Sequence, residues 1–133
     1  MWVPPLGVEW AVSNGDRVVL SGQDLMDRMG KLMEANDIDG LVELYASDAK
    51  VVRHSRVAVG HSEIHDALTT SLATHGHYAV MAVDQFTDSG DLVMWDARVE
   101  TDAGNLLTTH IVVLDADGLI RYHIPSIRGY WGM

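Results

Sequence analysis

Cysteine is absent from the 133 residues, which removes disulfide frameworks, Cys-ligated zinc and thiol nucleophiles from the functions open to the chain. The sequence suits a reducing cytosol, and a cytoplasmic location is the expectation. Basic residues are scarce: 9 Lys and Arg stand against 19 Asp and Glu, a formal charge of −10 at pH 7. With no Lys/Arg cluster, such a chain repels phosphate backbones and anionic lipid, so neither nucleic acid nor a membrane surface is expected as a partner. Long apolar runs are also lacking, which argues against a membrane span. The opening Met1-Trp-Val-Pro-Pro5 has no basic stretch before an apolar one, so it is not read as a signal peptide. The length fits one domain with one core.

What is present falls into two regions. Residues 1–23 carry Pro4-Pro5, Asn14-Gly-Asp16 and Ser21-Gly22 and read as an irregular arm with a short apolar run, Arg17 to Leu20. Trp2 and Trp10 predict that this arm packs on the domain or on a second chain. Residues 24–133 read as one domain. From Asp24, the recurrence of Leu25, Met26, Met29, Leu32 and Met33 predicts a helix to about Asn36. Asp37 or Asp39 caps a second helix in which Ile38, Leu41, Val42 and Tyr45 share a face, ending at Ala46 or Ser47. Ala49 to His54 reads as a strand, and Gly60 to Thr74 as a third helix.

Four strands follow, Tyr78 to Thr87, Asp91 to Thr101, Leu106 to Leu114 and Gly118 to about Ile124, divided by Asp/Gly-rich turns. Helices first and antiparallel strands last predict an α+β domain in which a curved sheet wraps the helices. Alternation places Val93, Trp95, Ala97 and Val99 on one face of the second long strand and Asp96, Arg98 and Glu100 on the other. The apolar set is expected inward. Ile127-Arg-Gly-Tyr-Trp-Gly-Met133 is too aromatic for a free tail and is expected to cover the mouth of the domain or a subunit contact.

Glu34 to Val51, Gly60 with Ile64, and Thr109-His-Ile-Val-Val-Leu-Asp-Ala-Asp-Gly-Leu-Ile120 together resemble the nuclear transport factor 2-like superfamily. That group holds SnoaL-like polyketide cyclases, ketosteroid isomerases and limonene epoxide hydrolases. The resemblance implies a cone-shaped half-barrel, three helices in the concave face of a mostly antiparallel sheet, an apolar pocket, and homodimerisation. One fold hosts many chemistries, so it does not select a reaction.

Set against the ketosteroid isomerase and epoxide hydrolase patterns, His110 and His123 fall on inward positions of the last two strands. Two pocket imidazoles can serve as an acid/base pair because their ordinary pKa lies near neutrality. The other reading of His110 is a core histidine bonded to a strand neighbour. Arg53 aligns with the isomerases' general base and Met29 with their oxyanion-binding Tyr, so that family's proton shuttle is not supported. Arg53 or His54 could instead steady an oxyanion. Met29, Tyr45 and Trp95 are expected to line the pocket against a hydrophobic ligand. Pro125 stands where the hydrolases keep a carboxylate, and it could mark the end of the sheet edge.

His61 and His65 share a helix face, but Glu63 falls one place late for the metalloprotease motif, and they are read as solvated flank residues. No metal and no cofactor is expected. Two functions follow. The first is a cofactor-independent isomerase, dehydratase or cyclase acting on a hydrophobic oxygenated substrate. The second is a non-catalytic ligand-binding or dimerisation module.

Overall fold

A computed structural model describes residues 21–132. The expectations for the arm up to Leu20, including Trp2 and Trp10, lie outside these residues. Helix α1 spans Gly22–Glu34. It starts where the Ser21 hydroxyl accepts from Asp24 N at 3.1 Å, satisfying one of the open N–H groups of the first turn. It stops at Asn36, whose φ of 55° breaks the helical path. Leu25, Met26 and Met29 form its buried stripe.

Helix α2, Ile38–Val42, is shorter than its spacing predicts. Tyr45 begins strand β1 (Tyr45–Arg53) instead of closing a helical face. Leu41 and Tyr45 are four apart and fit a helix equally well, but the last strand captures this segment. Tyr45 pairs in parallel with Ile120, and Leu44 O accepts from Ile120 N at 2.9 Å. The hairpin partner of β1, strand β2 (Arg56–Val59), is not anticipated by the sequence reading. Helix α3 runs over Gly60–His75. Glu63 Oε1 accepts from Val59 N at 2.9 Å at its start, and Ile64 is fully buried.

Strands β3 (Tyr78–Asp88), β4 (Leu92–Thr101), β5 (Gly104–Leu114) and β6 (Ile120–Tyr130) complete a curved, unclosed sheet of order β2-β1-β6-β5-β4-β3. All neighbours are antiparallel except β1 and β6. The three helices pack on one face of the sheet, and the core lies between. The expected α+β cone is the fold found.

Two expectations about the last strand need correction. It does not end near Ile124, and Pro125 is not its terminus: β6 continues to Tyr130. Pro125 sits opposite His110 of β5 and two residues past the last β1 partner, His123, where β6 keeps a single paired neighbour and a missing N–H is tolerated. The aromatic C-terminal segment therefore lengthens the sheet, with Trp131 Nε1 donating to Val99 O at 3.2 Å. Strand β4 follows its predicted alternation. Val93, Trp95, Ala97 and Val99 are buried, while Arg98 on the other face pairs with Asp84 at 2.9 Å.

Gly76 ends α3 with φ 77° and ψ −146°, a region that side chains avoid. A Cβ there would also run into the Asp102 carboxylate, which accepts from His77 N at 2.9 Å. Gly76→Ala is therefore expected to lower the unfolding free energy by roughly 1–3 kcal/mol. At Gly129 the nearest atom to an added Cβ is 4.0 Å away. In urea melts of both variants and the parent, Gly129→Ala should stay within about 0.5 kcal/mol of the parent.

Candidate functional site

Between helices and sheet lies a cavity of about 860 Å³. Leu41, Tyr45, Val51, Ile64, Trp95, Ala97, Val99, Thr108 and His123 form its buried end, and α1 adds Met26 and Met29. Its rim is polar. Asp27, Lys31 and Glu34 come from α1, and Arg53 to Arg56 from the β1–β2 turn.

The sheet register explains what meets at the buried end. Trp95 sits opposite His110, and His110 opposite Pro125. His123 is two places from Pro125 on the same face, a diagonal neighbour of His110 within reach of long side chains. Val51 of β1 sits beside His123, and Tyr45 enters from the start of the same strand. His110 Nδ1 lies 2.9 Å from His123 Nε2, and His123 Nδ1 lies 2.8 Å from the Tyr45 hydroxyl. Trp95 stacks on the His110 ring, with centroids 5.0 Å apart and planes 21° apart. His110 is thus hydrogen-bonded within the sheet and also at the cavity wall. Nδ1 is tied to a strand neighbour while the ring lines the cavity.

Burial holds the His110 imidazole down to about 4, against the smaller opposing pull of the Asp96 carboxylate. Burial, and then the neighbouring His110, holds His123 well below the ordinary histidine range. Burial pushes the Tyr45 phenol well up. All three groups are neutral at pH 7.

This has a measurable cost in acid. An unfolded histidine takes up a proton near pH 6.5, while folded His110 refuses it until about 4. The unfolded state therefore binds more protons between those values, and stability that is full above pH 6.5 is lost as pH falls towards 4. The His110 shift corresponds to roughly 2–4 kcal/mol. Urea unfolding at neutral pH and near pH 4 should show the parent losing more stability than His110→Phe. Equal losses would overturn the assignment.

The remaining expected site residues are spread out. Arg53 is half-buried at the end of β1 and lines the cavity, with no ion pair among the described residues. His54 is exposed in the β1–β2 turn and lines the cavity, and among the described residues it makes no hydrogen bond with the His110–His123 pair. Met29, Tyr45 and Trp95 all line the cavity. Asp96 lies outside it, accepting from Thr109 Oγ1 at 2.7 Å with Arg128 Nε 3.8 Å away. His61 and His65 do not line the cavity: His61 Nε2 lies 2.8 Å from the backbone oxygen of Tyr45, and His65 Nε2 faces Asp39 at 3.4 Å. Among the described residues, no group of three His, Asp or Glu is placed to hold a metal ion.

Thr108 is the site residue that sequence reasoning missed. Its hydroxyl is buried with no partner among the described residues, and the residue lines the cavity one alternation from His110. The signal was its place on the same strand face, but nothing in the sequence says that its neighbours offer no acceptor.

The chain matches no protein-family model and no curated protein sequence. Solved structures do match. An NTF-2 like protein of unknown function from Burkholderia xenovorans is 11% identical, with 84% of this chain and 86% of that chain covered and a TM-score of 0.69. A candidate polyketide cyclase from Sinorhizobium meliloti is 20% identical, with 80% and 100% covered and a TM-score of 0.68. TerC, co-crystallised with polyporic acid, is 17% identical, with 80% and 90% covered and a TM-score of 0.68. Identities this low speak for architecture, not for activity. With three helices against a six-stranded unclosed sheet, they establish that this chain has the NTF2-like cone fold.

Proposed function

We propose that the chain is a cofactor-independent enzyme of proton-transfer chemistry, an isomerase, dehydratase or cyclase, acting on a hydrophobic oxygenated molecule in the cone cavity. The observation that carries this reading is the buried chain from Tyr45 through His123 to His110, ending on the cavity wall. Polar groups are costly to bury, and a plain core would have been filled with apolar side chains instead. In this reading His110 handles the proton at the substrate oxygen, and His123 holds its ring. Trp95, Tyr45 and Met29 exclude water, while Arg53 steadies negative charge from the rim. The ligand of TerC and the name of the Sinorhizobium meliloti protein are compatible with such a substrate. The test is turnover of a panel of cyclic ketones, enols and polyketide-like aromatics. Any activity found must fall by about a hundredfold or more in His110→Ala.

A homodimer fits a second observation. On the face of the sheet away from the helices, Met94, Ile111 and Ile124 stand in one cross-strand row, and Met94 and Ile124 are 45% and 42% exposed. Sedimentation of the purified chain at high micromolar concentration should give a dimer. A monomer there would rule the homodimer out.

A further inference from the structure

The three-membered chain at the buried end has a direction. The Tyr45 hydroxyl has one hydrogen-bond partner among the described residues, His123 Nδ1. Tyr45 is 2% exposed, so a hydroxyl proton that did not go to that nitrogen would be left buried without an acceptor. Leaving a buried donor unmade costs about 1–3 kcal/mol. Tyr45 therefore donates, and His123 Nδ1 accepts. A neutral imidazole carries one proton, so that of His123 is on Nε2, where it is donated to His110 Nδ1 at 2.9 Å. His110 must then carry its own proton on Nε2. That nitrogen has no partner among the described residues, and its ring lines the cavity under Trp95. The Thr108 hydroxyl, buried and equally unpartnered, lines the same wall.

We infer that Tyr45 is a positioning residue that locks the chain in one tautomer, so that the cavity presents the His110 Nε2–H and Thr108 hydroxyl donors to a ligand that is a hydrogen-bond acceptor. This rests on the proposed function and deepens it by naming the ligand class: an apolar ring compound bearing a carbonyl or enolate oxygen. The opposite direction would have made His110 Nε2 an acceptor, suited to a hydroxyl or ammonium group. The acidic residues that line the cavity, Asp27 and Glu34, are exposed on α1 at the rim, and Glu34 already accepts from Val80 N at 3.1 Å. No carboxylate thus competes for the donors at the buried end among the described residues.

Two measurements test this, and neither requires turnover. Long-range proton–nitrogen NMR of the histidine-labelled chain reads the tautomer of each ring. His110 and His123 should both be protonated on Nε2, and Tyr45→Phe should leave them as a mixture. A purely structural Tyr45 would leave the tautomers unmoved, and a proton on Nδ1 of either ring in the parent overturns the direction. If Tyr45→Phe fails to fold, the parent spectrum alone decides. The second measurement compares 2-acetonaphthone with 2-ethylnaphthalene, which has the same carbon skeleton without the carbonyl oxygen. The ketone should bind at least about tenfold more tightly, the equivalent of one net hydrogen bond. Tyr45→Phe should shrink that preference. Equal binding, or binding of neither, overturns the ligand class. Should both tests succeed while no substrate is turned over, the donor site stands and the catalytic reading falls.

Discussion

His123→Phe is expected to lower the unfolding free energy by roughly 2–6 kcal/mol, because one substitution leaves two buried groups without partners. The phenyl ring fills the space of the imidazole, so no large cavity opens. What is lost is the acceptor for the Tyr45 hydroxyl and the donor for His110 Nδ1, at about 1–3 kcal/mol each. Against the ~5–15 kcal/mol of an ordinary domain this is a large fraction. Adding Tyr45→Phe removes one of the orphaned groups, so the double variant should be more stable than His123→Phe alone. Urea melts of the parent, both single variants and the double variant close the cycle. If the double variant is the less stable, with the two losses simply adding, the chain is not energetically coupled. Should His123→Phe not fold at all, Tyr45→Phe still reads the outer link.

The second large effect is on rate. A group that meets the substrate oxygen with a proton contributes typically 10²–10⁴-fold, and a single oxyanion donor about 10²–10³-fold. His110→Ala should therefore lower kcat/KM by about 10²–10³, mostly through kcat, since the donor matters more as charge builds on the oxygen than in the ground state. His110→Gln can still offer an N–H from nearly the same place and should recover part of the loss. Arg53→Ala acts from the rim and should appear mainly in KM. A His110→Ala enzyme with parent kinetics would remove this residue from the chemistry.

Much of this arrangement could be read from the residues. The stripe of Leu25, Met26 and Met29 and the alternation through Val93, Trp95, Ala97 and Val99 follow from periodicity alone, because each element has one wet face. Set against the family patterns, His110 and His123 fall on inward positions, and both line the cavity. The failures share a cause. Tyr45 suits helical and strand spacing equally, and what decides is a partner strand 75 positions later in the register, Tyr45 against Ile120. Arg56–Val59 is too short to announce itself before its hairpin is closed. Pro125 reads as a terminus locally but sits where β6 has lost its β1 neighbour. The unmet Thr108 hydroxyl has no local signature at all, since whether a hydroxyl is satisfied depends on residues from other strands.

The parallel pairing of β1 with β6 also bears on the order of events when the chain is made. The link between Tyr45 and His123 spans 78 positions, so the loop it closes contains α3 and strands β2 to β5. Closing such a loop costs entropy before its contacts reward it, and this pairing is expected among the late steps of folding. During synthesis the histidine pair cannot assemble until the last strand has emerged. A chain cut after β5 would keep every helix yet lack His123, leaving His110 and Tyr45 with no one to join them. Competence of the site is thereby tied to the emergence of β6, and the histidine tautomers offer a local reporter of whether that strand has docked.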